Sequence, residues 1–234
     1  MAAYTTIDDP EAYFQVQLYT GNGSANHAIT LGGDTDMQPD LVWIKNRDAV
    51  DAHCLFDAVR GATKLLSSDA NTAESTDTDT LDSFATDGFQ VDADVKVNTN
   101  TEDYVAWCWK ESATAGFDIV SWTGNGSAQD ISHSLSKVPT FIIVKNRDQA
   151  DSWYCYNVHN GNTHSMILDT DSAKVGAYTD NWNDTTPTTS VFSVGGSHAT
   201  SGGSSEAMIA YAFTDIQGFS KFGKYTGNGG TSGV

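Results

Sequence analysis

The chain lacks what membrane and nucleic-acid proteins rely on. No window of its 234 residues reaches the roughly 18 to 20 consecutive apolar residues of a membrane span. The first 20 residues have neither a basic start nor an apolar core, so no Sec-type signal is expected. Cations are scarce: 12 Lys and Arg stand against 30 Asp and Glu, for a formal charge of -18. Phosphate backbones are held by Lys and Arg, so nucleic acid is not expected as a partner. Charged residues make up only 18% of the chain, below the usual quarter, and Asp far outnumbers Glu. Shortage of Glu, Lys and Leu removes the usual helix formers, while the abundant Thr, Val, Asn, Gly and aromatics favour strands and turns. With 39% apolar and 11% aromatic residues the chain has ample material for a packed core, which excludes disorder.

Catalytic signatures are also missing. No Gly-x-Ser-x-Gly elbow, phosphate loop or dinucleotide fingerprint occurs. His27, His53, His133, His159, His164 and His198 fall in no zinc-type spacing, so no metal site is expected from them. Cys54, Cys108 and Cys155 are odd in number and do not align with one another, which predicts buried free thiols made in a reducing cytoplasm. A glycoside hydrolase needs two carboxylates facing each other in a cleft, and no aromatic-flanked Glu pair suggests one.

What the chain does have is an internal period. Tyr19-Thr20-Gly21-Asn22-Gly23 returns as Trp122-Thr123-Gly124-Asn125-Gly126 and as Tyr225-Thr226-Gly227-Asn228-Gly229, so Gly21, Gly124 and Gly227 are 103 residues apart. Leu41-Val42-Trp43-Ile44-Lys45-Asn46-Arg47-Asp48 matches Phe141-Ile142-Ile143-Val144-Lys145-Asn146-Arg147-Asp148. Strands are expected near 13–20, 27–31, 41–45, 54–56, 84–91 and 104–110. The second copy repeats them near 117–123, 141–145, 153–158, 165–168, 190–194 and 207–213. This predicts an all-β fold: two tandem antiparallel β-sandwich (jelly-roll-like) repeats with a short N-terminal helical turn, capped by Asp9 with Pro10 at its first position. The division is a leader (1–13), repeat 1 (14–115), repeat 2 (116–216) and a C-terminal strand or stub (217–234). A further helical turn fits 57–64.

Several residues are candidates for binding. On the strand 104–110, Val105, Trp107 and Trp109 point one way and Ala106 and Cys108 the other, with the tryptophans expected in the core. Trp153 and Trp182 sit among Asp and Asn, the setting of a sugar platform. Glu74, Asp77, Asp79, Asp82 and Asp87 lie in a loop of a kind able to hold Ca²⁺, against the plainer reading of a solvated loop. Lys45, Arg47, Lys145 and Arg147 recur at matching strand ends beside Asp48 and Asp148. They read either as a hydrogen-bonding device at the strand exit or as cationic contacts for an anionic glycan or a neighbouring subunit.

The phrases Asp9-Pro10-Glu11-Ala12-Tyr13-Phe14, Pro39-Asp40-Leu41-Val42-Trp43-Ile44-Lys45-Asn46-Arg47, Arg60-Gly61-Ala62-Thr63-Lys64 and Gly218-Phe219-Ser220-Lys221-Phe222-Gly223-Lys224-Tyr225 resemble a repeat domain of unknown function. That domain occurs in virion proteins, such as tail or appendage proteins, of marine bacteriophages. The resemblance implies a non-enzymatic structural subunit of the virion, made in the host cytoplasm: an appendage, fibre or capsid-decoration protein. Its partners would be itself and other virion proteins, with no cofactor to carry over. The alternative is a carbohydrate-binding module contacting host surface glycans. In the resembling proteins the phrase from Gly218 opens a further repeat. Here it is expected either to close repeat 2 as a last strand or to pair with a neighbouring subunit.

Overall fold

The computed structural model of the chain describes residues 4–176 and 179–228. Asp9 caps a short 3-10 turn, Pro10–Ala12, through Glu11 N–H. Repeat 1 then runs β1 (Phe14–Thr20), β2 (His27–Thr30), β3 (Leu41–Asn46), β4 (Cys54–Asp57), β5 (Lys64–Leu65), β6 (Ser75–Thr76), β7 (Leu81–Ala85), β8 (Gly88–Val91), α1 (Val95–Asn98) and β9 (Asp103–Trp109). Repeat 2 runs β10 (Phe117–Thr123), β11 (Gln129–Ser132), β12 (Phe141–Asn146), β13 (Tyr154–Asn157), β14 (His164–Ile167), β15 (Val175–Gly176), α2 (Thr179–Trp182), β16 (Val191–Val194), α3 (His198–Ser201) and β17 (Ala207–Phe213).

The fold is all-β and antiparallel, as expected. The larger sheet of repeat 1 is ordered β1-β9-β3-β4, and that of repeat 2 begins β10-β17-β12-β13 and continues into β14-β15. Register repeats with the order: Leu41 pairs with Trp109 and Phe141 with Phe213. Opposite each lies a smaller sheet, β2-β8-β7 or β11-β16. Between the layers of repeat 1 sit Ile29, Val42, Ile44, Phe56, Phe89, Tyr104, Ala106 and Cys108, and between those of repeat 2 Ile131, Ile142, Val144, Tyr156, Trp182, Phe192 and Ala210. A third apolar cluster joins the repeats, from Leu41, Leu55 and Leu66 on one side and Phe117, Ile119, Ile143, Trp153, Ile209 and Tyr211 on the other.

The recurrent Thr-Gly-Asn-Gly phrase ends β1 and β10 at a close backbone approach. Gly21 N–H donates to Glu102 O at 2.8 Å and Gly124 N–H to Glu206 O at 2.7 Å. A Cβ on Gly21 would stand 2.1 Å from Thr99 O, so only glycine fits.

Four expectations are corrected. The 84–91 strand is a hairpin, because Gly88 at φ +114° turns the chain against Ile29 O. Residues 57–64 form turns rather than a helix, with Asp57 spent on Arg60. The tryptophans of β9 leave the sandwich interior to Ala106 and Cys108 and face the other way, where Trp109 enters the seam between repeats. Residues 217–228 form no strand. Phe219 packs edge-on against Tyr13, and Phe222 stacks on Phe141 and lies tilted against Phe213. The remainder of the expected C-terminal strand, 229–234, lies outside the described residues, as do 1–3 of the leader.

Candidate functional site

At the end of β3, Lys45 Nζ donates to the carbonyls of Asn46 and Ala49, at 2.6 and 2.9 Å. At the end of β12, Lys145 Nζ does the same to Asn146 and Gln149, at 2.7 and 2.9 Å. Asn46 and Asn146 each accept from the N–H two residues on and donate to a carboxylate, Glu102 or Glu206. Asp48 and Asp148 accept from Asp103 N–H and Ala207 N–H, both at 2.7 Å. Lys, Asn and Asp are therefore consumed in building a turn that locks the strand exit to the next strand.

The arginines and the surroundings differ between the copies. Lys145 is fully buried, its ammonium also reaches Asn71 O of repeat 1, and burial pulls its pKa down to about 8. Arg147 grips both oxygens of Glu74, at 2.9 and 2.8 Å. Lys45 is half-buried and Arg47 exposed, and the Arg47 guanidinium has no partner among the described residues.

Glu74 is thus a link between repeats. It also accepts from Arg60 at 3.1 Å, and Arg60 in turn is paired with Asp57, which receives the Tyr211 hydroxyl at 2.7 Å. Burial opposes ionisation of Glu74, but the bonds and charges of Arg147 and Arg60 hold its pKa below the ordinary value. Asp82 instead bonds Gln90, Asp77 and Asp79 accept backbone N–H groups, and Asp87 accepts from Met37. Among the described residues no group of three His, Cys, Asp or Glu is placed to hold a metal ion.

Trp153 and Trp182 are corrected as sugar platforms, since their rings are 0% and 1% exposed. Trp153 Nε1 donates to Ser67 O and Ala70 O of repeat 1, and Trp182 Nε1 to Ser165 Oγ at 2.9 Å. Asp180, Asn183 and Asp184 are exposed while the Trp182 indole and its neighbour Asn181 point inward, and one-dimensional context does not distinguish the two. The cysteines are buried and unpaired, and burial pushes each thiol to about 12, which makes them unreactive.

Two features went unread in the sequence. One is a cavity of about 370 Å³ in the seam, walled by aromatic rings including Phe14, Trp109, Phe117, Phe141, Phe213 and Phe222. Its lining is almost wholly apolar, without the converging polar groups that orient a substrate. The other is a carboxyl pair where β9 leads into β10. Glu111 rises to about 7 through burial, its hydrogen bond to Asp118 and the charges of Asp118 and Asp40.

The outward face of the larger sheet is used differently in each repeat. In repeat 2, Ile119, Ile143 and Tyr211 are 5%, 6% and 1% exposed, beneath residues of 55–74 of repeat 1. The positions matching them in repeat 1 are Val16, Trp43 and Trp107. Val16 is 49% exposed and its neighbour Leu18 58%, while Trp43 and Trp107 are partly exposed.

These elements define an all-β, antiparallel protein with sandwich-like layers and a partly open apolar sheet face. By sequence the chain belongs to the family of a domain of unknown function (DUF7483), matched over residues 9–234. No curated protein and no solved structure matches it.

Proposed function

We propose that this protein is a non-enzymatic structural subunit that self-associates within a phage particle, as an appendage, fibre or capsid-decoration protein. The observation that carries self-association is the open face formed by Val16, Leu18, Trp43 and Trp107, whose counterpart in repeat 2 is sealed. A contiguous apolar face of this kind marks an interaction site. The occupant is a second copy, because what seals the counterpart is a segment of this same chain. Arg47, exposed at the end of β3 on a molecule of charge -18, gives a second acidic copy a local cation beside the face. The resemblance to virion repeat domains supports the particle. Light scattering on the purified chain over a range of concentrations tests this: the mass should be a multiple of 25.0 kDa. A monomer mass throughout would overturn it.

A second reading, a carbohydrate-binding module, is favoured by the partly exposed tryptophans Trp43 and Trp107 on that face, 6.2 Å apart and edge to face. A glycan array with Trp107→Ala as control separates the two. Specific signal lost in the variant supports glycan binding, and a blank array supports the structural subunit.

A further inference from the structure

The seam cavity is built from the same three positions of each repeat. In the larger sheet of repeat 1, Phe14, Trp109 and Leu41 lie side by side across β1, β9 and β3, since Phe14 and Leu41 both pair with Trp109. In repeat 2 the matching row is Phe117, Phe213 and Phe141 across β10, β17 and β12. All six side chains line the cavity. The rows touch at Trp109, whose ring centre is 6.4 Å from that of Phe117 and 6.5 Å from that of Phe213, and the cavity of about 370 Å³ lies where they face each other.

Its base and its rim differ. Leu41, Leu55, Phe117, Ile143 and Tyr211 are at most 6% exposed, while Phe14, Trp109, Phe141, Phe213 and Phe222 are partly exposed. Phe222 extends the second row by stacking on Phe141 at 5.3 Å, and Phe219 lies against Tyr13, the neighbour of Phe14, at 6.4 Å. The result is a pocket with a closed base and an aromatic rim.

Polar groups are few in it, and most are spent. The Tyr211 hydroxyl donates to Asp57 at 2.7 Å and the Ser220 hydroxyl to Thr214 O at 3.3 Å. Lys110 is the exception. It is the one charged residue of the lining, it is exposed, and its ammonium has no partner among the described residues.

Such a lining selects its occupant by chemistry. Water needs two to four polar partners to stay ordered, so the pocket favours an apolar molecule. Sugars and nucleotides would bury hydroxyls and phosphates against rings that cannot bind them. An apolar cavity of roughly 150 Å³ takes up benzene, so about 370 Å³ admits two or three rings. The walls already pack on one another by stacked and tilted ring contacts, the geometry an aromatic ligand would share. A negative group left at the rim meets Lys110, on a molecule whose charge of -18 repels anions elsewhere.

We propose that the seam binds a flat aromatic molecule of two or three rings carrying one negative charge, with its rings between the two rows and its charge beside Lys110. Of the open face of repeat 1 only Trp43 reaches the pocket, so the site stands apart from self-association.

The test is a titration of the full chain with anilinonaphthalene sulfonate, a probe of this chemistry, followed by its fluorescence. Binding should saturate at one probe per chain. Leu41→Phe, which writes the repeat 2 residue into the repeat 1 row and fills the cavity, should abolish binding with Tm unchanged or raised. Lys110→Glu, at an exposed position, should keep the fold and weaken binding about tenfold. Leu18→Glu, which alters the open face and not the pocket, should bind the probe as the wild type does. No saturable binding, or binding lost in Leu18→Glu and kept in Leu41→Phe, would overturn the site. An affinity unchanged in Lys110→Glu would overturn the anionic group. A monomer mass in light scattering, by contrast, would sink self-association and leave the pocket standing.

Discussion

Arg147 of repeat 2 holds Glu74 of repeat 1 by two hydrogen bonds, at 2.9 and 2.8 Å, with 19% and 11% of the two side chains exposed. Removing Arg147 takes two of the three side-chain hydrogen bonds from the largely buried Glu74 carboxylate and leaves it Arg60 alone. Arg147→Ala should therefore lower stability by about 2–4 kcal/mol, read as a fall in Tm. Arg47→Ala, at the equivalent but exposed position, should change stability by less than about 0.5 kcal/mol. Because the pKa of Glu74 is lowered on folding, its contribution is present above the unfolded carboxylate value and is lost as pH falls through the folded one. The Tm gap between wild type and Arg147→Ala should accordingly narrow on acidification.

Glu111 has the opposite sign. Its carboxyl rises from 4.5 to about 7 on folding, so its stabilising effect is present below the unfolded value and is lost as pH rises through about 7. Glu111→Gln keeps a neutral partner for Asp118 at every pH. The Tm of the variant relative to wild type should increase between about pH 5 and pH 8 and level off above, in a series of thermal melts.

Trp153 is an anchor between repeats. Trp153→Ala empties a fully buried site and leaves Ser67 O and Ala70 O without their donor, and should cost about 3–5 kcal/mol in denaturant unfolding. Trp107→Ala, on the open face, should cost less than half of that.

Most of the strands could be read from the sequence, because turn residues and the 103-residue period mark their ends. The Thr-Gly-Asn-Gly turns and the inert cysteines were legible for the same reason. Two-residue alternation told which side chains share a face of β9, but not which face is inside. Tyr104, Ala106 and Cys108 fill the sandwich, and Val105, Trp107 and Trp109 form a second apolar face. A strand apolar on both faces has a second face to cover, and at Trp109 the seam between repeats covers it. Partnerships such as Arg147 with Glu74, 73 residues apart, follow from how the repeats pack and leave no local trace.

The most direct measurement is sedimentation velocity of the full chain beside Leu18→Glu, which places a charge on the open sheet face without touching either sandwich core. Leu18 is already 58% exposed in the single chain, so the variant should melt close to wild type. The wild type should sediment as a multimer and the variant as a species of 25.0 kDa. A wild type that sediments as a monomer, or a variant that assembles as the wild type does, would contradict self-association through this face.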